Sequence, residues 1–232
     1  MMIFGFDVIS DLNLGPDDEF DWTNKPTSLF CVIPGNISSD LRTIYKTLKH
    51  LSTMYHGVFY IDGSLEITDI YERDLRVKEL QKICTNFKNV IYLHNNVVVV
   101  DGVALVGING WYNNYLNNSI VDDFHAKCFR FDDIGYLEKT IEKLQVHQEV
   151  KAIIIVSNCV PFKELYFGEC NMGDEDINPG YVLHKDTEHK VKKWVYGTYD
   201  KIVDTTVNGI NYINNSKFNK NPYYAKRIEI AI

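Results

Sequence analysis

Apolar runs of a few residues alternate with polar segments along most of the chain. Each run is too short for a helix and is bounded by Gly, Pro, Asn, Asp or Ser, which is typical of buried strands. Two of the runs flank Asp101-Gly102, and this dipeptide predicts a β-hairpin. The predicted strands cover residues 2–8, 29–33, 58–61, 90–93, 97–100, 103–106, 152–156, 194–196, 201–205, 210–213 and 227–230.

Longer segments with apolar residues three and four positions apart predict amphipathic helices. The clearest follows Ser38 and Ser39, either of which can cap its first turn, and continues to about residue 54. Its buried face is predicted to contain Leu41, Ile44, Tyr45, Leu48 and Leu51. Further helices are predicted at 72–87, 133–147 and 186–193.

The order of these elements predicts an α/β (α+β) protein. Strands and helices alternate early, a hairpin follows, and strands dominate the end, so we expect two sheets packed face to face with helices outside. A length of 232 residues, 45% hydrophobic and 24% charged, fits a single domain over 1–232. Segments 15–25 and 162–181 are expected to be polar loops.

Charge and cysteine content restrict the class of protein further. A net charge of −7 disfavours binding to the phosphate backbone of nucleic acid, so a protein is the expected partner. Five cysteines without C-x-x-C spacing argue against a disulfide framework or a zinc knuckle. No apolar run approaches the ~20 residues of a membrane span, and no signal-peptide pattern is present. These features predict a cytoplasmic protein. Abundant Tyr, Asn and Ile suggest an AT-rich viral or phage genome, so the location is predicted to be the cytoplasm of a host cell or a virion.

Small and polar residues follow several predicted strands, at the carboxyl edge where open α/β folds place ligands. Asp11 and Asn13 follow the first strand, in VISDLNL, and Gly35 and Asn36 follow the second, in IPGNISSD. The later turns are DGSLE with Gly63, Ser64 and Glu66, VGINGWYNN with Gly107, Gly110 and Trp111, VSNCVP with Asn158, and WVYGTYD with Gly197, Thr198 and Asp200.

In order and spacing these turns resemble those of calcineurin-like metallophosphoesterases. That family consists of four-layer αββα sandwiches, two mixed β-sheets flanked by helices, and binds two divalent metals through the motifs D-x-H, G-D, G-N-H-[ED], H and G-H-x-H. Asp11 and the turn glycines match, whereas most ligand positions differ. Asn13, Leu65, Asn158, Cys159, Thr198 and Asp200 stand where the family has histidine, Asn36 where it has the bridging aspartate, and Ser64 where it has asparagine.

The resemblance therefore implies a degenerate member, a pseudoenzyme, in which we expect no catalytic residue and no metal site. An amide at position 36 cannot bridge two cations with charge, and Leu65 cannot act as a general acid. Without a metal, Asp11 is expected to accept backbone hydrogen bonds or to face water. No cofactor is expected, or at most one weakly held Mg²⁺, Mn²⁺ or Ca²⁺. The vestigial site positions are Asp11, Asn13, Asn36, Ser64, Asn158, Thr198 and Asp200.

The expected function is an interaction, regulatory or structural role through binding of a protein, at a surface that the sequence does not identify. A neutral pocket closed by Leu65 and Tyr199 would favour this function. The alternative is a divergent phosphoric ester hydrolase with a reduced, oxygen-only metal site at Asp11, Asn13, Asn36, Asn158 and Asp200. A nucleotide- or nucleic-acid-binding module would need a basic cleft that these motifs do not supply.

Structural roles are expected for the other candidate groups. The seven histidines have no metal-ligand spacing, and Cys159 is predicted to be a small buried filler. The acidic segments 17–21 and 174–176 lack EF-hand spacing and are predicted to be solvated loops. Segment 218–227, FNKNPYYAKR, is predicted to be edge structure or a contact for protein or nucleic acid.

Overall fold

The computed structural model describes residues 2–16, 18, 20, 25–110, 120–165, 179–198, 200–217 and 223–232; for residues 120–123 and 163 it describes the backbone alone. The α-helices are α1 (Leu41–Met54), α2 (Arg73–Cys84) and α3 (Ile120–Val146), and 3₁₀ helices cover Lys163–Leu165 and Pro179–Lys185. The strands are β1 (Ile3–Val8), β2 (Phe30–Pro34), β3 (Gly57–Ile61), β4 (Val90–Tyr92), β5 (Asn96–Val100), β6 (Val103–Ile108), β7 (Ala152–Ser157), β8 (Val191–Tyr196), β9 (Val203–Val207), β10 (Ile210–Asn214) and β11 (Lys226–Ala231).

The strands form two mixed sheets. The first has five strands in the order β11-β1-β2-β3-β4, and only β11 runs antiparallel to its neighbour. The second has six strands in the order β5-β6-β7-β8-β10-β9, and the two edge strands β5 and β9 are the antiparallel ones. Short apolar strands buried on both faces explain the central parallel strands of each sheet.

Three apolar layers hold the sheets and helices together. Phe6, Val32, Ile154 and other fully buried side chains fill the space between the two sheets. A second layer packs α1 and α2 against the outer face of the first sheet. A third packs α3 against the outer face of the second sheet, around Trp194. The predicted arrangement of two mixed sheets flanked by helices, an αββα sandwich, is confirmed.

Helix α1 follows the predicted pattern except at its start and at Tyr45, which was predicted on the buried face but is 37% exposed. Its buried face contains Ile44, Leu48 and Leu51, as the three- and four-residue spacing predicts. The N-cap, however, is Asp40, whose carboxylate accepts the backbone N–H of Thr43 at 2.8 Å. The serine predicted to cap the helix, Ser38, instead donates its hydroxyl to the carbonyl of Leu14.

Two other predicted helices were wrong in extent or type. Helix α3 begins at Ile120 and not at residue 133. The sequence pattern missed its first part because the buried positions there include Ala126 and Arg130, which do not form an apolar stripe. The predicted helix at 186–193 is absent. Asp186 there accepts the N–H groups of Lys190 and Val191, which closes a turn into β8.

The central strands of both sheets end at one edge of the sandwich. Because β1, β2 and β3 are mutually parallel, and β7 and β8 are parallel to each other, the turns that follow them meet there. Among the described residues no helix is long and apolar enough to cross a membrane.

Candidate functional site

The turns at this edge contain an unusual set of backbone conformations. Asp11, Asn36 and Thr198 have positive φ angles of 51°, 59° and 53°, and so do the neighbouring Asn13 and Gly35. Asn and Asp tolerate this region, whereas a β-branched residue such as Thr198 is rarely found in it. Strained residues gathered at one place are typical of functional sites.

Asp11 lies at the centre of the site, 3% exposed. Its Oδ1 accepts the side-chain amide of Asn36 at 2.8 Å and the backbone N–H of Thr198 at 2.9 Å. Its Oδ2 accepts the hydroxyl of Ser10 at 2.7 Å. Burial raises the pKa of Asp11, although these donors act in the opposite direction. The carboxylate is therefore bound by protein donors on both oxygens.

The orientation of the Asn36 amide is fixed by the backbone around it. Its Oδ1 accepts the N–H of Leu65 at 3.0 Å, so its Nδ2 must point the other way, toward Asp11. The same Nδ2 lies 3.2 Å from the hydroxyl oxygen of Thr198. An amide nitrogen thus occupies the place beside Asp11 where the resemblance expects a bridging carboxylate.

Asn158 and Thr198 complete the arrangement. The Nδ2 of Asn158 donates to the carbonyl of Pro34 at 3.0 Å, which leaves its Oδ1 to accept the N–H of Ser64 at 3.2 Å. The hydroxyl of Thr198 donates to the same oxygen at 2.6 Å. We call Asp11, Asn36, Ser64, Asn158 and Thr198, which these bonds join, the polar plug.

Glu66 holds the two turns that carry Asn36 and Ser64. Its carboxylate accepts three backbone N–H groups, from Asn36 at 3.0 Å, Ile37 at 2.6 Å and Gly63 at 2.8 Å. Burial raises the pKa of Glu66 to about 7, against the effect of these donors. Glu66 therefore fastens the turn after β2 to the turn after β3.

The plug does not fit a pair of divalent cations. Cations need oxygen or nitrogen lone pairs directed at them. The Nδ2 of Asn36 and the backbone N–H of Thr198 instead direct hydrogens at Oδ1 of Asp11, the oxygen that a cation would need. The amide oxygens of Asn36 and Asn158 already accept backbone donors. Over the described ranges of the chain, no group of three or more His, Cys, Asp or Glu side chains is placed to hold a metal ion.

The remaining predicted positions lie at or beyond the rim. Asn13 is exposed and folds its amide back onto the carbonyl of Asp11 at 3.1 Å. Asp200 is also exposed, and the turn after β8 reaches the plug through Thr198 instead. Leu65 is partly buried. Of the seven positions named from the sequence, the structure thus brings five together in the plug and leaves the side chains of Asn13 and Asp200 outside it.

Several other predicted features lie wholly or partly outside the described residues. These are Tyr199, Trp111, the acidic segment 174–176, most of the acidic segment 17–21, Cys170, and residues 218–222 of the aromatic and basic segment. Cys159, in contrast, is 1% exposed and has the predicted role of a buried filler. No disulfide joins the cysteines that the structure describes.

A second buried network beside the plug was not predicted. Asp62, which follows β3, accepts the Nδ1 of His94 at 2.7 Å, the hydroxyl of Tyr92 at 2.6 Å and the amide of Asn109 at 3.0 Å. Burial alone would raise the pKa of Asp62, but His94 and the other donors outweigh it and lower the pKa to about 2. Asp62 and Asn109 thus join the edges of the two sheets.

The same network extends to helix α3. Asp133 accepts the N–H of Gly110 at 2.8 Å and lies 3.7 Å from the guanidinium of Arg73, which also stacks on the ring of Phe129. The sequence does contain a signal for Asp62, because Asp62 directly follows β3 as Asp11 follows β1. Nothing in the sequence, however, indicates that Asp62 contacts residues 30 or more positions away.

Comparisons with known proteins agree with the fold. No protein-family model matches the chain. An uncharacterized protein of Acanthamoeba polyphaga mimivirus is 22% identical over 247 aligned positions, which cover 88% of this chain and 86% of that protein.

Solved structures share the architecture at low identity. Phosphopantetheinyl hydrolase (PptH) from Mycobacterium tuberculosis has a TM-score of 0.64 at 13% identity, covering 96% of this chain and 95% of that one. A putative 5′-nucleotidase from Staphylococcus aureus gives 0.58 at 12% identity, covering 99% of this chain and 51% of that one. GAP50, the anchor in the inner membrane complex of Plasmodium, gives 0.54 at 14%, covering 94% and 72%. The chain has the fold of metallophosphoesterase-like proteins.

Proposed function

We propose that this chain is a metallophosphoesterase-like protein without phosphoesterase activity that acts by binding another protein. The observation that carries the first part is the direction of the Asn36 amide. Its nitrogen donates to Asp11, so the centre of the site is filled by a hydrogen-bond donor. Two-metal hydrolysis needs cations at that place to generate hydroxide and to hold the phosphate.

No acid or base is available in the plug to replace the metal chemistry. Asn36, Ser64, Asn158 and Thr198 are neutral at all ordinary pH values, and the carboxylate of Asp11 is buried and bonded. General acid–base catalysis needs a titratable group within hydrogen-bond reach of the substrate. We therefore propose that the site binds no catalytic metal and no other cofactor.

An exposed aromatic surface beside the plug supports the second part. Tyr71 is 62% exposed and Phe124 is 64% exposed, and both rings pack against His125, with centroid distances of 5.3 and 6.0 Å. Leu75, in the first turn of α2 and four residues after Tyr71, is 56% exposed. We call these four residues the aromatic patch. Grouped exposed apolar residues mark interaction sites in soluble proteins.

The aromatic patch is physically connected to the plug and has an acidic border. Arg76 of α2 donates to the carbonyl of Glu66 at 2.8 Å, which fastens the helix that carries Leu75 to the turn after β3. A cleft of about 240 Å³ next to Leu75 is lined by three acidic residues, Asp69, Glu72 and Glu79, and by one basic residue, Arg76, which pairs with Glu79 at 3.5 Å. This border suits a protein partner that presents basic and apolar side chains together.

The comparisons give this function a structural precedent. GAP50, which shares this fold, is the anchor in the inner membrane complex of Plasmodium. The mimivirus relative agrees with an origin in a virus or phage. We propose that the protein acts in the cytoplasm, where its thiols would remain reduced.

The catalytic part is tested by metal analysis of the purified protein and by turnover of p-nitrophenyl phosphate and bis(p-nitrophenyl) phosphate with added Mn²⁺ or Mg²⁺. We expect no stoichiometric metal and no hydrolysis above buffer. Asp11→Asn and, as a matched exposed control, Asp200→Asn should be indistinguishable from wild type. Metal-dependent turnover that Asp11→Asn abolishes would establish the alternative, a divergent phosphoesterase, and its response to Asp200→Asn would show whether Asp200 is one of the ligands.

The binding part is tested by quantitative purification of cross-linked complexes from the producing cells. The double variant Tyr71→Ser with Phe124→Ser should lose the partner that wild type retains. Tyr181→Ser, at a site 69% exposed on a different surface, is the control and should retain it. If wild type, the double variant and Tyr181→Ser all retain the same proteins, the aromatic patch is not the binding surface.

A further inference from the structure

We propose that two copies of this chain associate through β5, with the two strands antiparallel about a two-fold axis at Val98. Strand β5 pairs with β6 on one side only and forms an edge of the six-stranded sheet. The paired strands would join the six-stranded sheets of the two copies into one continuous sheet.

Strand β5 differs from the other three edge strands in lacking protection. Natural edges are protected by charged residues, by bulges or by short length. Strand β11 carries Lys226, Arg227 and Glu229, β9 carries Asp204, and β4 has three residues. Strand β5 has the sequence NVVVV, with five residues of which four are valine and none is charged.

The hairpin geometry shows which backbone groups of β5 face outward. Asp101 and Gly102 both have positive φ, 50° and 78°, as a two-residue type I′ turn requires, and Val100 pairs with Val103. The closing pair of such a turn is hydrogen-bonded, and bonded pairs alternate along an antiparallel ladder. Val98 therefore bonds to β6, whereas the N–H and C=O groups of Val97 and Val99 point away from it.

These outward groups are self-complementary. When β5 is placed antiparallel to its copy about Val98, Val97 of one chain faces Val99 of the other, and each pair exchanges two hydrogen bonds. The valine side chains also match, because Val97 and Val99 lie on the same face of the strand. Val99 is 45% exposed in the single chain and would be covered by Val97 of the copy.

One local contact opposes association. The side-chain oxygen of Asn96 accepts the N–H of Val97 at 2.9 Å, and this bond must open for the copy to pair. The N–H and C=O of Val99 have no such partner in the described part of the chain. We therefore expect a dimer that dissociates on dilution, and not a permanent one.

The experiment is sedimentation velocity and light scattering of the full chain as a function of concentration. Wild type should approach twice the 26.9-kDa chain mass. Val99→Pro should remain monomeric, because proline removes an N–H that points outward and takes no part in the ladder to β6. Val99→Lys should do the same through charge, and guards against misfolding of the proline variant.

Thr206→Lys is the matched control, since it adds the same charge at an exposed position on the opposite edge strand, β9, and should still dimerise. Hydrogen exchange adds an atomic readout: protection of the amide at position 99 should increase with concentration in wild type and in Thr206→Lys, but not in Val99→Lys. A monomeric wild type at all concentrations, or a dimer that persists in Val99→Lys, would overturn the proposal. Neither result bears on phosphoesterase activity or on the aromatic patch.

Discussion

The substitution Asn36→Asp tests the polar plug most directly, because it exchanges one amide nitrogen for an oxygen at the centre of the site. In wild type, that nitrogen donates to Asp11 at 2.8 Å and contacts Thr198 at 3.2 Å. In the variant, a second carboxylate would lie against the first in a buried space. The backbone has no reason to change, because aspartate tolerates a positive φ about as well as asparagine.

The size of the effect follows from two limits. Two full charges 2.8 Å apart repel by ~6 kcal/mol at an effective dielectric constant of ~20. The variant avoids this cost by keeping a proton that an aspartate in the unfolded chain loses near pH 3.9, which costs ~4 kcal/mol at pH 7. We therefore expect a loss of about 4 kcal/mol in the free energy of unfolding at pH 7.

The same reasoning fixes the pH dependence. The variant pair of carboxyls has a raised pKa in the folded state, so its stability should be fully present below about pH 4 and decline by ~1.4 kcal/mol per unit as the pH rises. Urea denaturation from pH 4 to 8 measures this. Asn208→Asp, at an exposed turn residue with a φ of 51°, is the control and should stay within ~0.5 kcal/mol of wild type. A loss below ~1 kcal/mol at pH 7 without a slope would refute the assigned direction of the Asn36 amide.

Other substitutions test the surroundings of the plug, each by urea denaturation. Gly63→Ala should lose at least ~2 kcal/mol, because the added Cβ would overlap the Oδ1 of Asn36, whereas Gly135→Ala, with open space around it on α3, should gain ~0.5–1 kcal/mol. Thr198→Val removes a hydroxyl that bridges two amides and should lose ~1–2 kcal/mol. For His94, burial lowers the pKa but Asp62 outweighs it and raises it, so its contribution is full below about pH 6.5 and disappears as the pH rises through the raised value. Asp62, with a pKa of about 2, loses its contribution only as the pH falls toward that value. His94→Asn should therefore flatten the alkaline side of the stability profile, and an unchanged profile would contradict the pairing.

The positions of the plug residues could be predicted from the sequence because parallel strands impose them. Asp11, Asn36 and Ser64 follow β1, β2 and β3, while Asn158 and Thr198 follow β7 and β8. Strands that are parallel and adjacent end at a common edge, so polar residues after them meet whatever their chemistry. The same rule explains why the side chain of Asp200 lies outside the plug: Asp200 is two residues beyond Thr198 and is exposed.

The hydrogen bonds within the site could not be predicted, because they depend on distances of tenths of an ångström between loops. The hydroxyl of Ser10 and the backbone N–H of Thr198 complete the shell of Asp11, although nothing in the two motifs indicates these hydrogen bonds. The network of Asp62, His94 and Asp133 was missed for a related reason. Its members come from β3, β4 and α3, and the periodic patterns that reveal a buried apolar face give no signal for buried polar residues.

The residues of the plug form a consistent set, and this supports the proposed function more strongly than the differences from the family's ligand residues alone. A buried carboxylate such as Asp11 needs compensating positive charge or hydrogen-bond donors. If ligands had been replaced without regard to one another, buried polar atoms would be left without partners. Instead the amides of Asn36 and Asn158 and the hydroxyl of Thr198 both donate and accept, and the side-chain nitrogen and oxygen atoms of all three have partners. Such a network fixes the positions of the turns around it at the edge of the sandwich. Rigid turns of this kind form a stable scaffold for a binding surface, whereas a reaction centre needs groups left free to act on a substrate.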